Sequence, residues 1–289
     1  MSDHIAPGVM TAAGPYAALF EGLPTDVGEL TRVAQGLLIH EFLAGEYGVT
    51  LTDEDRATVH VRPVRDLLAA VVARDDRPLT QTRPPADRVA SNCRGFSVLM
   101  TAMLRAQGVA ARARCGFGGY FPTDYWEDHW VCEYFDADQG RWVLVDAQLD
   151  DVQRKLFGID FDPLDTPRDR FLVAGDAWVR CRSGADDPDR FGLSGLHEAG
   201  YWWIAGNLMR DLAALDDLEL LPWDMWGAMP KPYGDVDEAL FDRVAGATRG
   251  PDLVEARQLL TDDRLRVPDV VRNALRDTDE PVREPTSAP

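Results

Sequence analysis

"SNCRGFSVLMTAMLRAQGV", residues 91–109, decides how the rest of the chain is read. Phe96, Leu99, Met100, Met103 and Leu104 recur at spacings of three and four, the signature of a helix with an apolar face. Ser91 or Asn92 offers the side-chain oxygen that caps such a start, and Gly108 offers the residue that ends it. The spacing therefore predicts a helix whose first turn holds Cys93. A structural cysteine would sit anywhere along the core face. One in the first turn stands where free backbone N–H groups and the helix dipole favour thiolate over thiol. That position asks for a base.

Beyond the helix the pattern changes. "VAARARCGF" (109–117) alternates loosely, "HWVCEYF" (129–135) and "RWVLVDA" (141–147) are rich in strand-forming residues, and "DADQG" (136–140) is a turn. A helix followed by an antiparallel sheet predicts an α+β fold. His129 opens one strand and Asp146 closes the next, so the hairpin register decides whether they meet. A four-residue loop from Asp136 to Gln139 pairs Phe135 with Gly140 and sets His129 opposite Asp146, with Cβ atoms about 5 Å apart. A loop of odd length would oppose His129 with Ala147 instead. In the first register a carboxylate holds the imidazole tautomer and steadies the imidazolium, as in other nucleophile–His–Asp sites.

Taken together, "NCRGFSVLMTAMLRAQGVAARARCGF", "DHWVCEYF" and "RWVLVDAQLD" resemble the transglutaminase-like superfamily of papain-type thiol enzymes over residues 85–150. In that family a cysteine begins a helix, and a histidine and an aspartate lie on successive strands. The resemblance implies a papain/transglutaminase-like core with the catalytic helix packed on an antiparallel sheet. Carried over residue by residue, it makes Cys93 the nucleophile, His129 the general base and acid, and Asp146 the orienting carboxylate. It implies no metal and no organic cofactor. One departure concerns the turn before the nucleophile: the family commonly has glycine two residues ahead of the cysteine, where this chain has Ser91. The Cys93 backbone N–H is the first donor expected for an oxyanion. The second is not identified.

The remaining chain is read around this core. Residues 14–75 read as helical, through "VGELTRVAQGLLIHEFLAG" and "VRDLLAAVVARD", and the proline-rich "RPLTQTRPPADRVASN" (77–92) is a connector. Residues 158–233 are irregular apart from a helix over "GNLMRDLAALDDLELL" (206–221). The expected organisation is an N-terminal helical region (1–60), a catalytic core (61–155), a Trp/Arg-rich extension folded over the core (156–260) and a C-terminal segment (261–289). The closing "TDEPVREPTSAP" (278–289) has no apolar periodicity and is expected to be disordered.

Composition narrows the partners. The formal net charge is −19 and only Lys155 and Lys231 are lysines, so nucleic acid and anionic membrane are disfavoured. No basic, apolar leader opens the chain and no run of about 18 apolar residues occurs, which predicts a cytoplasmic protein with reduced thiols. A zinc site built from Cys93, Cys115, His129 and Cys132 is rejected, because no ligand pair has the usual close spacing.

Other candidates carry competing readings. Cys115, Cys132 and Cys181 read as packing residues. The loop "GGYFPTDYWED" (118–128) places Tyr120 and Trp126 either as walls of a substrate cleft or as rings that pack the loop down. Arg168 and Arg210 are candidates for binding a substrate carboxylate, while most arginines near them pair with neighbouring aspartates. The function expected is acyl transfer to and from Cys93 through a thioester, with a peptide or small-molecule acyl substrate. Hydrolysis is favoured over amide formation because water needs no second binding site. A binding scaffold without turnover is the third reading.

Overall fold

The computed structural model describes residues 4–250 and 253–282. In chain order the elements are α1 (Val27–Leu37), β1 (Leu38–His40), α2 (Asp53–Ala57), α3 (Val64–Arg74), β2 (Val89–Ser91), α4 (Cys93–Ala106), β3 (Ala111–Gly118), β4 (Trp126–Asp136), β5 (Arg141–Val145) and α5 (Asp151–Phe157). There follow β6 (Phe171–Val173), α6 (Ala174–Arg182), β7 (Phe191–Leu193), β8 (Glu198–Ala199), α7 (Tyr201–Ala214), β9 (Asp224–Met225), α8 (Glu238–Arg249), α9 (Val254–Leu259), β10 (Val270–Asn273) and β11 (Thr278–Pro281). The chain is α+β. It divides into two compact units, one of residues 1–114 and 129–171, the other of residues 115–128 and 172–289.

In the first unit α4 is the central element. Asn92 caps it in extended conformation, its side-chain oxygen accepting from the Gly95 N–H at 3.2 Å. At the other end Gly108 takes φ +79°, and the Val109 N–H returns to Leu104 O at 3.0 Å. Every residue from Cys93 to Arg105 is buried, so only the last residue of the helix, Ala106, reaches solvent. Its polar residues are satisfied internally: the Ser97 hydroxyl donates to Cys93 O and the Thr101 hydroxyl to Ser97 O. Arg105 donates to Ala111 O at 2.8 Å and to the Thr11 hydroxyl at 3.1 Å. Helices α1 and α3 pack against α4.

The N-terminal stretch is less helical than its periodicity suggests. Leu38 leaves α1 at φ −116°, ψ 151°, and Leu38–His40 becomes a strand pairing in parallel with Val89–Ser91. Long-range pairing has overridden the helical pattern of "LLIHEFLAG". The connector before β2 is tied down by Arg83, 2% exposed, whose guanidinium donates to the carbonyls of Asp75, Arg77, Pro78 and Gln81.

The β4–β5 hairpin is antiparallel with a register two residues from the expected one. Asp136 pairs with Arg141, Phe135 with Trp142 and Cys132 with Val145. Gly140 belongs to the turn, at φ +65°, its N–H donating to Asp136 O at 2.8 Å. The Asp136 carboxylate accepts from the N–H groups of Asp138 and Gln139, which makes it the turn's first residue and shifts the pairing. On the same strand Glu133, 1% exposed, receives Arg112, Arg114 and Arg168.

The core strands β4 and β5 pair antiparallel as expected, but in the second unit the sheet also holds a parallel pair. Trp126 and Glu127 at the start of β4 pair in parallel with Phe191 and Gly192 of β7, and β7 pairs antiparallel with β8. Gly116 of β3 lies against the Leu172 carbonyl so closely that a Cβ would sit 2.1 Å from that oxygen. Helices α6, α7 and α8 pack together around Trp178, whose ring meets Tyr201 and Phe241. Helix α7 begins five residues before the expected segment and ends at Ala214, where Asp217 adopts φ +61° and the Leu218 N–H closes on Ala213 O. Near the C-terminus Thr278–Pro281 is a strand paired with β10, not a disordered tail, because alternate backbone groups find partners on Val270–Asn273. The rest of the expected disorder, residues 283–289, lies outside the described residues. Among the described residues no helix is long and apolar enough to cross a membrane.

Candidate active site

The first residue of α4 is Cys93, so its N–H and that of Arg94 precede the first bonds of the helix, while the Gly95 N–H is taken by the Asn92 cap. Cys93 is 7% exposed. His129 comes from β4 and is 2% exposed; its ring hydrogen-bonds the Cys93 side chain. Asp146, 1% exposed, follows the last residue of β5, and its Oδ2 lies 2.8 Å from Nε2 of His129. With Nε2 on the carboxylate, Nδ1 is the nitrogen left for sulfur.

The contact is not made by direct cross-strand opposition. The ladder ends at Cys132 and Val145, and the chain then bends as the Asp146 N–H donates to Pro163 O at 2.8 Å. A polar chain fixes the carboxylate from behind. Asp146 Oδ1 accepts from the Gln148 N–H at 3.1 Å, and the Gln148 amide donates to Gln153. Gln153 in turn donates to the Tyr47 hydroxyl, and Tyr47 donates to Asp150, the cap of α5. The carboxylate is thus held by groups that have their own partners.

Electrostatics favour a charged imidazole. Burial alone would lower the pKa of His129, but the Asp146 carboxylate and the Cys93 side chain outweigh it and push it up to about 10. The ring is therefore an imidazolium at neutral pH, donating through Nε2 to Asp146. The Phe171 ring closes one side at 6.3 Å, edge to face.

Cys93, His129 and Asp146 are brought together. Arg168, also in the first unit, is engaged by Glu133 Oε1 at 2.6 Å and by Trp142 O at 3.0 Å. The other three candidates belong to the second unit. Tyr120 is 5% exposed and its ring lies 4.8 Å from that of Phe121. Trp126 stacks on Phe191 with an interplanar angle of 3°. Arg210 donates to Asn207 Oδ1 at 3.0 Å and to Asp224 O at 3.2 Å. Among the described residues no cluster of three or more His, Cys, Asp or Glu side chains is arranged to hold a metal ion, and the four cysteines are free thiols.

One residue escaped the sequence reading. His40 ends β1, opposite Ser91, and is close enough to His129 and Asp146 to feel both charges. The available signal was weak: a lone histidine after three apolar residues inside a stretch with helical spacing.

Residues 56–147 of the 289 match the family model of the transglutaminase-like superfamily. The matched segment runs from Arg56 to Ala147 and contains Cys93, His129 and Asp146. No curated protein and no solved structure matches the chain.

Proposed function

We propose that the protein is a cysteine-dependent acyl-transfer enzyme that works through a Cys93 thioester, on a papain-type core formed by α4 and the strands that carry His129 and precede Asp146. The observation that carries this reading is the position of His129, hydrogen-bonded to Cys93 on one side and to Asp146 on the other. A nucleophile at a helix N-terminus, a base beside it and a carboxylate that orients the base are the three parts that thiol acyl transfer requires. Cys93 attacks an acyl carbon, the leaving amine takes the proton held by His129, and a second nucleophile discharges the thioester with His129 acting as base.

Water is the favoured acceptor, since hydrolysis needs no second binding site; an amine acceptor would make the enzyme amide-forming. Incubation with an activated acyl ester, followed by mass spectrometry of the whole protein, tests the reading. A hydroxylamine-labile adduct on Cys93, absent in Cys93→Ser, is the expected result. Partition of product between free acid and amide when an amine is added then separates the two acceptors. A folded wild type that never acylates at Cys93 would move the non-catalytic scaffold into first place.

A further inference from the structure

The thioester reading leaves one need unmet: a second donor for the oxyanion beside the Cys93 N–H. The parallel pairing of β1 and β2 sets His40 opposite Ser91, two residues before Cys93. Paired strands lie about 4.8 Å apart, so the imidazole starts from the strand flanking the chain that leads into the Cys93 turn. The register is closed by the Glu41 N–H, which donates to Ser91 O at 2.9 Å. The chain then turns so that the Phe42 N–H donates to Nδ1 of His40 at 3.3 Å, while the two rings meet at 5.6 Å.

That hydrogen bond settles the tautomer. A backbone N–H only donates, so Nδ1 is the bare nitrogen and the ring proton sits on Nε2. Nε2 has no acceptor among the described residues. Burial lowers the pKa of His40 to about 3, the charge of His129 acting in the same direction and Asp146 opposing. His40 is therefore neutral at working pH and still has a proton to share, next to a histidine that is charged. Two imidazoles of opposite protonation at one site divide the labour: one moves protons and the other polarises.

We propose that His40 is the second oxyanion donor, its Nε2–H joining the Cys93 N–H on the acyl oxygen of the substrate. This deepens the acyl-transfer reading and rests on it. As the Cys93 sulfur bonds to the acyl carbon, the carbonyl π pair moves onto oxygen and both N–H groups receive the negative charge. When the pair returns, the bond to the leaving group breaks, and an amine leaving group takes its proton from His129. His40 gives up no proton at any stage.

The test compares two reactions of Cys93 in the full chain, using wild type, His40→Ala and His40→Gln. Acylation by p-nitrophenyl acetate passes through an oxyanion; alkylation by iodoacetamide at pH 7 displaces iodide from a saturated carbon and does not. The expected result for His40→Ala is a loss of about 10²- to 10³-fold in acylation rate, the usual effect of removing one such donor, with alkylation unchanged. His40→Gln keeps an N–H donor and recovers part of the loss, so it also decides the matter if the alanine variant fails to fold. Wild-type acylation in a folded His40 variant overturns the proposal, and so does an equal loss in both reactions. Nitrogen NMR of the wild type showing the proton on Nδ1 of His40 overturns it too. A wild type that alkylates but never acylates refutes the acyl-transfer reading itself, and is recognised before any variant is made.

Discussion

An Asp146→Asn substitution keeps the size of the side chain and removes its charge, which isolates what the carboxylate does for His129. Burial on its own would depress the imidazole, yet Asp146 and Cys93 raise it from 6.5 to about 10. At about 1.4 kcal/mol per tenfold in proton affinity, that net rise corresponds to roughly 5 kcal/mol favouring the charged ring. Without the carboxylate only Cys93 opposes burial, and His129 is expected to lose its proton below neutral pH. The amide cannot replace what it removes. If its oxygen keeps the Gln148 N–H, its NH₂ faces Nε2 and forces the ring proton onto Nδ1, the nitrogen that must receive from Cys93. If it flips, its NH₂ confronts the Gln148 N–H.

The assay is an NMR titration of His129 in both proteins, with acylation rates measured beside it. The expected outcome is an imidazolium that persists through pH 8 in wild type and not in the variant, and a rate loss of up to about 10⁴-fold, as for wrong-tautomer variants of comparable sites. Stability follows with a definite sign. A folded pKa raised above the unfolded value contributes stability that is complete below about 6.5 and lost as pH rises through about 10. The stability gap between wild type and variant should therefore be widest near pH 6 and close towards pH 10. A folded Asp146→Asn protein whose His129 is still charged at pH 8 would refute the electrostatic account.

Glu133 gives the opposite pH dependence. Although burial favours its neutral form, Arg114, Arg112 and Arg168 hold its carboxyl well below the usual range, so its contribution is present above about pH 4.5 and lost on acidification. Glu133→Gln should cost about 3–5 kcal/mol at pH 7, measured by urea unfolding, with the two proteins converging as pH falls. Asn92→Ala removes the cap of α4 and should cost about 1 kcal/mol, again by urea unfolding, with a larger fall in acylation rate than in stability if the turn also orients Cys93. Gly95→Ala would put a Cβ 2.0 Å from Ser91 Oγ and should lower the melting temperature; adding Ser91→Gly should restore it, and failure of that rescue would show that the crowding lies elsewhere.

Helical spacing, a cap and a terminal glycine were enough to place α4 and its cysteine, because those signals act within one turn of the chain. The hairpin was legible as an antiparallel pair but not in its register: the choice between Gln139 and Gly140 as the last turn residue depends on which backbone donors the Asp136 carboxylate captures. The meeting of His129 and Asp146 survived that shift because it depends on the chain beyond the ladder, steered by Pro163 O. What the sequence could not display was pairing between distant segments. Leu38–His40 has helical spacing and becomes a strand only because Val89–Ser91 lies beside it, and Trp126 meets Phe191 across a parallel pair with no local mark.

That same distant pairing changes how the missing glycine is understood. The family resemblance sets glycine where this chain has Ser91, which raised a doubt about the turn before the nucleophile. The position of Ser91 is accommodated by Gly95, in the first turn of α4, where any side chain would strike the serine oxygen. Ser91 is also the residue whose carbonyl accepts from Glu41 and whose backbone pairs with His40. The substitution therefore sits where β2 hands the chain to α4 and where β1 delivers its histidine. A neutral imidazole delivered there supplies the kind of donor that the backbone of the turn alone leaves short. The departure from the family pattern and the otherwise unused histidine are then two parts of one local solution.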